Sequence, residues 1–284
     1  MSKSRKPVTV PAVAARKRRH GDEPLVMVTA YDHPSAVLAD RAGVDLLLVG
    51  DSLGMVIQGK PDTLQVTLDE MIYHCACVSR AGTKALVVGD LPWMTYHVSR
   101  EDAVRNAGRI IQEGGARSVK LEGARPDTVR AIVDAEIPVM GHLGLTPQSV
   151  NVLGGFKLQG RDEAAAEAIR EGALRLQDAG AFAVVLECVP AELGERVSEE
   201  LDIPTIGIGA GPACDGQVLV WHDLLGVSER VPSFVRRYES LGDRIVEALE
   251  SHAADVRSGE FPGPDESRYL AQPTGATEPV VADA

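Results

Sequence analysis

The sequence predicts an α/β fold, a single-domain (β/α)8 TIM barrel, and three observations carry that expectation. Short apolar, β-branched-rich runs alternate with helix-like runs from about residue 24 to residue 225, the pattern of βα units on a parallel sheet. Eight such units in about 200 residues suit a closed barrel. Five of the runs also end in, or carry near their end, an ionisable group. Leu46-Leu-Leu-Val-Gly50 leads into Asp51, Ala85-Leu-Val-Val-Gly89 into Asp90, and Ile137-Pro-Val-Met-Gly141 into His142. Ala183-Val-Val-Leu186 leads into Glu187, and Ser118-Val-Lys-Leu-Glu-Gly123 carries Lys120 and Glu122. Charged side chains rarely enter a core unless they are paired or bind something. The pattern therefore outlines a site at one end of a parallel sheet. A doubly wound sheet is the competing architecture, but Gly207-Ile-Gly-Ala-Gly-Pro212 lacks the dinucleotide-binding spacing and follows the seventh strand.

Taken in order, the apolar runs predict strands over 25–29, 46–49, 86–88, 119–121, 139–140, 184–186, 203–208 and 217–220. Helices are expected over 34–42, 68–81, 101–113, 127–135 and 162–179, and near 191–199. A further amphipathic helix over 241–257 follows the barrel. Residues 1–22 form a basic leader and 23–262 the catalytic barrel. The polar, proline-containing segment 263–284 is expected to be a disordered tail. Two connections, 51–67 and 141–161, are too long to be simple joints, and both follow strand C-termini, where barrels carry their chemistry. The second is glycine-rich and almost uncharged, which suits a ligand-covering loop.

Composition narrows the function class. At 284 residues with 44% hydrophobic and 25% charged side chains the chain is of ordinary globular type. No apolar run is long enough to span a bilayer, and no h-region of a secretory signal is present. Cys75, Cys77, Cys188 and Cys214 form neither a disulfide framework nor a zinc ribbon, which suggests reduced thiols in a cytoplasm. The net charge of −12 is uneven. Residues 1–22 hold seven basic groups against one acid, leaving 22 basic and 40 acidic groups, a net −18, elsewhere. Such an acidic body argues against nucleic acid as a partner. The leader reads as a solvated segment or a first helix.

In a strand, positions i and i+2 share a face, so Lys120 and Glu122 project together. Asp51, Asp90, Glu122 and Glu187 converge at the barrel mouth, where four carboxylates repel unless a cation joins them. Oxygen-only ligands point to a hard divalent ion, Mg²⁺ before Zn²⁺. The plainer alternative makes each acid a helix N-cap. It is reasonable for Asp51 with Ser52, but it leaves Glu122, Glu187 and Lys120 unexplained. Lys120 either forms a Schiff base or stays protonated against a carboxylate or oxyanion, and Glu122 beside it favours the second role. His142 either binds substrate or is a satisfied turn histidine. Such a mouth suits chelation of a 2-oxo acid and enolisation by a spare glutamate.

Val49-Gly-Asp-Ser-Leu-Gly-Met55, Gly89-Asp-Leu-Pro-Trp-Met-Thr-Tyr96, Val119-Lys-Leu-Glu-Gly123, Gly141-His-Leu-Gly-Leu-Thr-Pro-Gln-Ser-Val-Asn151, Leu186-Glu-Cys-Val-Pro190 and Ile206-Gly-Ile-Gly-Ala-Gly211 resemble the ketopantoate hydroxymethyltransferase family, over about residues 24–262. The resemblance implies transfer of a one-carbon unit from 5,10-methylenetetrahydrofolate to 3-methyl-2-oxobutanoate, giving 2-dehydropantoate in pantothenate synthesis. It implies that Asp51 and Asp90 hold Mg²⁺ with Glu122 associated, that Ser52 and Lys120 bind the keto acid, and that Glu187 is the base. It further implies a cytoplasmic homo-oligomer, commonly a decamer. Trp93 and His33 depart from the Phe and Tyr expected there, and leave every one of these groups in place.

Two other readings share some of these features. A Mg²⁺-dependent lyase or mutase of the phosphoenolpyruvate mutase/isocitrate lyase type would share the enolate logic and add a reactive cysteine. Cys188, one residue past Glu187, is expected to point away from it, against that reading. A non-catalytic anion-binding barrel would keep Lys120 but have no use for Glu187.

Overall fold

The computed structural model describes residues 5–268, in two compact units, Met1–Glu239 and Ser240–Ala284. The first opens with α1 (Val10–Ala14), β1 (Leu25–Thr29), α2 (His33–Ala42), β2 (Leu46–Val49), α3 (Leu53–Val56) and α4 (Leu68–Ser79). It continues with β3 (Leu86–Asp90), α5 (Arg100–Gln112), β4 (Ser118–Glu122), α6 (Pro126–Asp134), β5 (Val139–Gly144), α7 (Val150–Leu153) and α8 (Glu163–Asp178). It ends with β6 (Ala183–Glu187), α9 (Ala191–Glu200), β7 (Thr205–Ile208), β8 (Gly216–Leu219) and α10 (Trp221–Leu224). The eight strands run parallel in chain order, and β8 pairs back onto β1 to close the barrel.

Period-two alternation sorts each strand between two cores. Outward residues such as Leu47, Val87, Val119 and Val184 pack with the surrounding helices. Inward residues, among them Met27, Leu48, Val88, Met140, Val185 and Val218, fill the barrel itself. The helices start where short polar side chains satisfy free N–H groups. Asp32 caps α2, Ser99 caps α5 and Asp162 caps α8, while Thr67 and Glu70 form a reciprocal capping box on α4.

The structure departs from expectation in several places. Strands β3 to β6 run on to include their charged ends, so Asp90 pairs with Lys120, Glu122 with His142 and Gly144 with Glu187 in the ladders. The loop expected over 141–161 thus begins only after β5, and it holds a 3-10 turn at Pro147–Ser149 and α7. The segment from β7 to β8 carries no helix. The leader does contain a first helix, α1, but it is not all solvated. Val13 is fully buried in the barrel-interior cluster with Leu25, Leu46 and Leu86, and Lys17 is buried beside Asp215. An apolar residue at that end of the barrel finds the floor of its core, and that contact outweighs local polarity.

The second unit holds α11 (Leu241–Ser258), ended by Gly259 in the left-handed conformation, as the amphipathic pattern predicts. Of the expected disordered tail, 263–268 is described, with the Gly263 N–H donating to the Glu266 carboxylate at 3.0 Å; 269–284 lie outside the described residues. No helix among the described residues is long and apolar enough to cross a membrane.

Candidate active site

The inner face of the barrel turns from apolar to charged toward its C-terminal end. On β3 the inward series is Leu86, Val88, Asp90; on β4 it is Ser118, Lys120, Glu122; on β5 it is Met140, His142; on β6 it is Ala183, Val185, Glu187. With Asp51 and Ser52, just past β2, these groups line one cavity of about 770 Å³ at the mouth. Every residue proposed for the site from sequence is therefore brought together.

Lys120 is only 3% exposed. Its Nζ lies 2.9 Å from Asp90 Oδ2, 3.2 Å from His142 Nδ1 and 3.9 Å from Glu122 Oε1. The neighbour on the next strand, and not Glu122 two residues along, is its main partner. Burial works against the ammonium, but Asp90, Glu122 and Asp51 together outweigh it and hold its pKa above the ordinary lysine value. These neighbours favour the charged ammonium over the neutral amine that a Schiff base would require. His142 sits between two carboxylates, with Nδ1 3.4 Å from Glu122 Oε1 and Nε2 3.3 Å from Glu187 Oε2. Burial and Lys120 oppose its charge, yet these two acids push it up to about 9. His142 lies on β5 and not at a turn, with its ring inside the charged cluster.

The aspartates are held differently. Asp51 does not cap α3, whose N-cap is Ser52; its Oδ2 accepts from Gln148 Nε2 at 2.9 Å. Burial, then repulsion from Asp90 and Glu122, drives its pKa well above the usual carboxylate range. Burial also raises Asp90 despite Lys120. Glu122 is lowered: burial opposes its charge, but His142, Lys120 and the Gln148 N–H, which donates to Oε2 at 2.9 Å, prevail. Ser52 Oγ lies 2.8 Å from the Tyr31 hydroxyl.

Sequence reasoning missed a hub. Gln148, on the 3-10 turn of the long loop, donates from Nε2 to Asp51 and to the Leu91 carbonyl at 3.0 Å. Its Oε1 accepts from the Tyr96 hydroxyl at 2.5 Å, and that hydroxyl accepts from the Glu122 N–H at 3.1 Å. Gln148 and Tyr96 thus tie Asp51 and Glu122 into one hydrogen-bonded network. The length of the loop was the available signal, because an uncharged glutamine announces nothing by itself.

The base position is built by close backbone approach. Gly144 has φ +90°, and a Cβ there would lie 2.2 Å from the Glu187 carbonyl oxygen, which accepts from the Leu145 N–H at 2.7 Å. Cys188 then leaves the strand at φ +49°, a conformation that costs an L-residue about 1–2 kcal/mol. Because of that turn Cys188 lines the same cavity as Glu187, contrary to the expectation that it points away. Burial and the Glu187 charge raise its thiol pKa, the opposite of an activated thiolate.

The donor set is all oxygen, four carboxylates face one lysine and one histidine, and Asp90 Oδ1 is buried with no hydrogen-bond partner among the described residues. Among the described residues no group of three or more His, Cys, Asp or Glu side chains is gathered to hold a metal ion. Asp51 and Asp90 stand side by side, with the Asp51 N–H 3.4 Å from Asp90 Oδ2. Two such carboxylates would suit an ion that takes its remaining oxygens from water and substrate, as Mg²⁺ does.

The family model for ketopantoate hydroxymethyltransferase matches residues 7–264. The chain is 58% identical over 263 residues to the 3-methyl-2-oxobutanoate hydroxymethyltransferase of Moorella thermoacetica (strain ATCC 39073 / JCM 9320), covering 92% of this chain and 97% of the relative. It is 54% identical to the protein of the same name from Syntrophomonas wolfei subsp. wolfei, over 90% and 93% of the two chains. Among solved structures it is similar to a phosphonopyruvate hydrolase (TM-score 0.61, 11% identity, 94% and 92% of the chains covered). It is also similar to a 2,3-dimethylmalate lyase of the PEP mutase/isocitrate lyase superfamily (TM-score 0.57, 18% identity, 91% and 93% covered). These last two likenesses show the shared barrel alone.

Proposed function

The chain belongs to the ketopantoate hydroxymethyltransferase family, and from that premise we propose that it moves a one-carbon unit from 5,10-methylenetetrahydrofolate to C3 of 3-methyl-2-oxobutanoate. The products are 2-dehydropantoate and tetrahydrofolate, and one water is consumed to supply the new hydroxyl. The observation that carries the reading is Glu187, a carboxylate lining the same cavity as Lys120, Asp51 and Asp90, with His142 Nε2 3.3 Å from it.

Asp51 and Asp90 would hold Mg²⁺, with Glu122 associated through its neighbours. When bound, the ion polarises the ketone and carboxylate oxygens of the keto acid. Lys120 supplies a permanent positive charge to the substrate carboxylate or the developing oxyanion, held in place by Asp90. Ser52 Oγ, oriented by Tyr31, donates to the same acid. Glu187 takes the C3 proton, leaving the electron pair as an enolate, and His142 beside it steadies the carboxylate before transfer. Water releases the one-carbon unit from the folate at the formaldehyde level, breaking its bonds to N5 and N10, which take up the two water protons to give tetrahydrofolate. The enolate carbon adds to that carbon, and its oxygen takes the proton held by Glu187 to become the new hydroxyl. Proton NMR of 3-methyl-2-oxobutanoate in D₂O tests this directly. Mg²⁺-dependent loss of the C3 proton signal is expected, and no exchange would dispose of the enolising reading.

A cytoplasmic homo-oligomer, possibly a decamer by family resemblance, completes the proposal. Sedimentation velocity of the full chain checks the assembly; a single monomeric boundary would refute it.

A further inference from the structure

The charged groups of the site all stand on β2 to β6, and they leave the side of the mouth formed by β7, β8 and β1 without a task. The cavity of about 770 Å³ falls in the range of roughly 300–1,000 Å³ that encloses a drug-sized ligand, far beyond a five-carbon keto acid. Asp223, on α10 directly after β8, lines this cavity and is only 9% exposed. Its carboxylate makes no hydrogen bond or ion pair among the described residues. Its oxygens are not among the sealed orphan atoms, so they open toward the cavity. A buried carboxylate with no partner is costly unless a ligand or water meets it.

The wall around it is apolar and aromatic. Phe234 lies against the end of β7: Gly209 has φ +63°, and a Cβ there would come within 2.7 Å of the ring. Phe234 and Val235 both line the cavity, and Arg230 stands exposed at its edge with no ion-pair partner among the described residues.

We propose that this side of the cavity seats the 2-amino-4-oxopteridine ring of the folate co-substrate, with Asp223 accepting from the ring N3–H and the 2-amino group together; this rests on the transfer reaction proposed above. Two parallel N–H donors match the two oxygens of a carboxylate, as a guanidinium does. A flat heterocycle gains by stacking on Phe234, and Arg230 meets the glutamate carboxylates where the tail leaves the protein. The one-carbon unit, at the junction of pteridine and aminobenzoyl groups, then faces the half of the mouth that holds Glu187. The competing explanation is that Asp223 only favours the first turn of α10.

The test is calorimetric titration of tetrahydrofolate, and of its 2-desamino analogue, into the full chain and its Asp223→Asn variant. Loss of a charge-assisted pair should weaken tetrahydrofolate by about tenfold or more, and the analogue by much less, since it has no amino group to lose. Phe234→Leu should weaken both ligands alike. Equal affinity of tetrahydrofolate for both proteins, equal weakening of the two ligands by Asp223→Asn, or no binding by the unsubstituted chain overturns the assignment. Keto-acid exchange by the unsubstituted chain is followed in parallel. Its absence would strike the proposed reaction, while the tetrahydrofolate titration still decides the pterin seat.

Discussion

Among the described residues two lysines are buried, one at each end of the barrel, and their surroundings could hardly differ more. At the N-terminal end Lys17 Nζ donates to the Ser198 carbonyl at 2.7 Å, the Ile203 carbonyl at 3.1 Å and Asp215 Oδ2 at 2.6 Å. Asp215 also accepts from the Arg18 N–H at 2.8 Å and the Thr205 N–H at 2.9 Å. All three ammonium donors are used, and none of the orphaned polar atoms belongs to this cluster. At the mouth Lys120 shares an excess of acid, and Asp90 Oδ1 is buried without a hydrogen-bond partner among the described residues. A closed network has nothing left to offer a ligand and serves to tie the leader under the barrel. An under-partnered one is held ready for groups that arrive from outside.

That contrast can be broken at several points. Glu187→Gln at the mouth should lower C3-proton exchange by about a thousandfold, within the usual worth of a general base, while keto-acid binding persists. Near-native exchange would remove Glu187 from the role. At the opposite end Lys17→Met should cost about 3–5 kcal/mol of stability, because Asp215 is left as an uncompensated buried charge. Denaturant unfolding checks this, and exchange per folded molecule should stay the same. A loss of exchange without loss of stability would collapse the distinction between the two ends. Asp90→Asn should weaken Mg²⁺ dependence by about a hundredfold, read from the metal titration of exchange. An unchanged titration would argue that the aspartates do not hold the ion.

The smallest effect concerns Cys188. Its thiol pKa is raised by burial and by Glu187, so less thiolate is present at a given pH than in a free thiol. Alkylation of the Cys188 peptide, followed by mass spectrometry, should reach half-maximal rate at higher pH than glutathione. Glu187→Gln should bring that midpoint down. A midpoint below that of glutathione would revive a reactive-cysteine chemistry at this site.

Much of the architecture was legible before any coordinates, because strand alternation and helix periodicity are local. The eight strands, the inward facing of Lys120 with Glu122, and the acids at the strand ends followed from spacing alone. Gln148 and Tyr96 were not legible, since neither carries charge and each acts through partners far away in sequence. The inward turn of Cys188 was hidden for a related reason. A positive φ at a non-glycine residue is imposed by its surroundings, here the ladder of Gly144 with Glu187 and the Cys188 N–H bond to the Ile208 carbonyl at 2.8 Å.

By itself the sequence determined the barrel, the end at which its chemistry lies, and the residue types available there, because side-chain period and strand polarity are properties of each segment. Only the tertiary structure decided who faces whom. The stagger of β3 on β4 gave Lys120 to Asp90, and closure of β8 onto β1 set Asp223 at the cavity wall with no partner among the described residues. Register and closure are settled between strands, where no single segment carries the information.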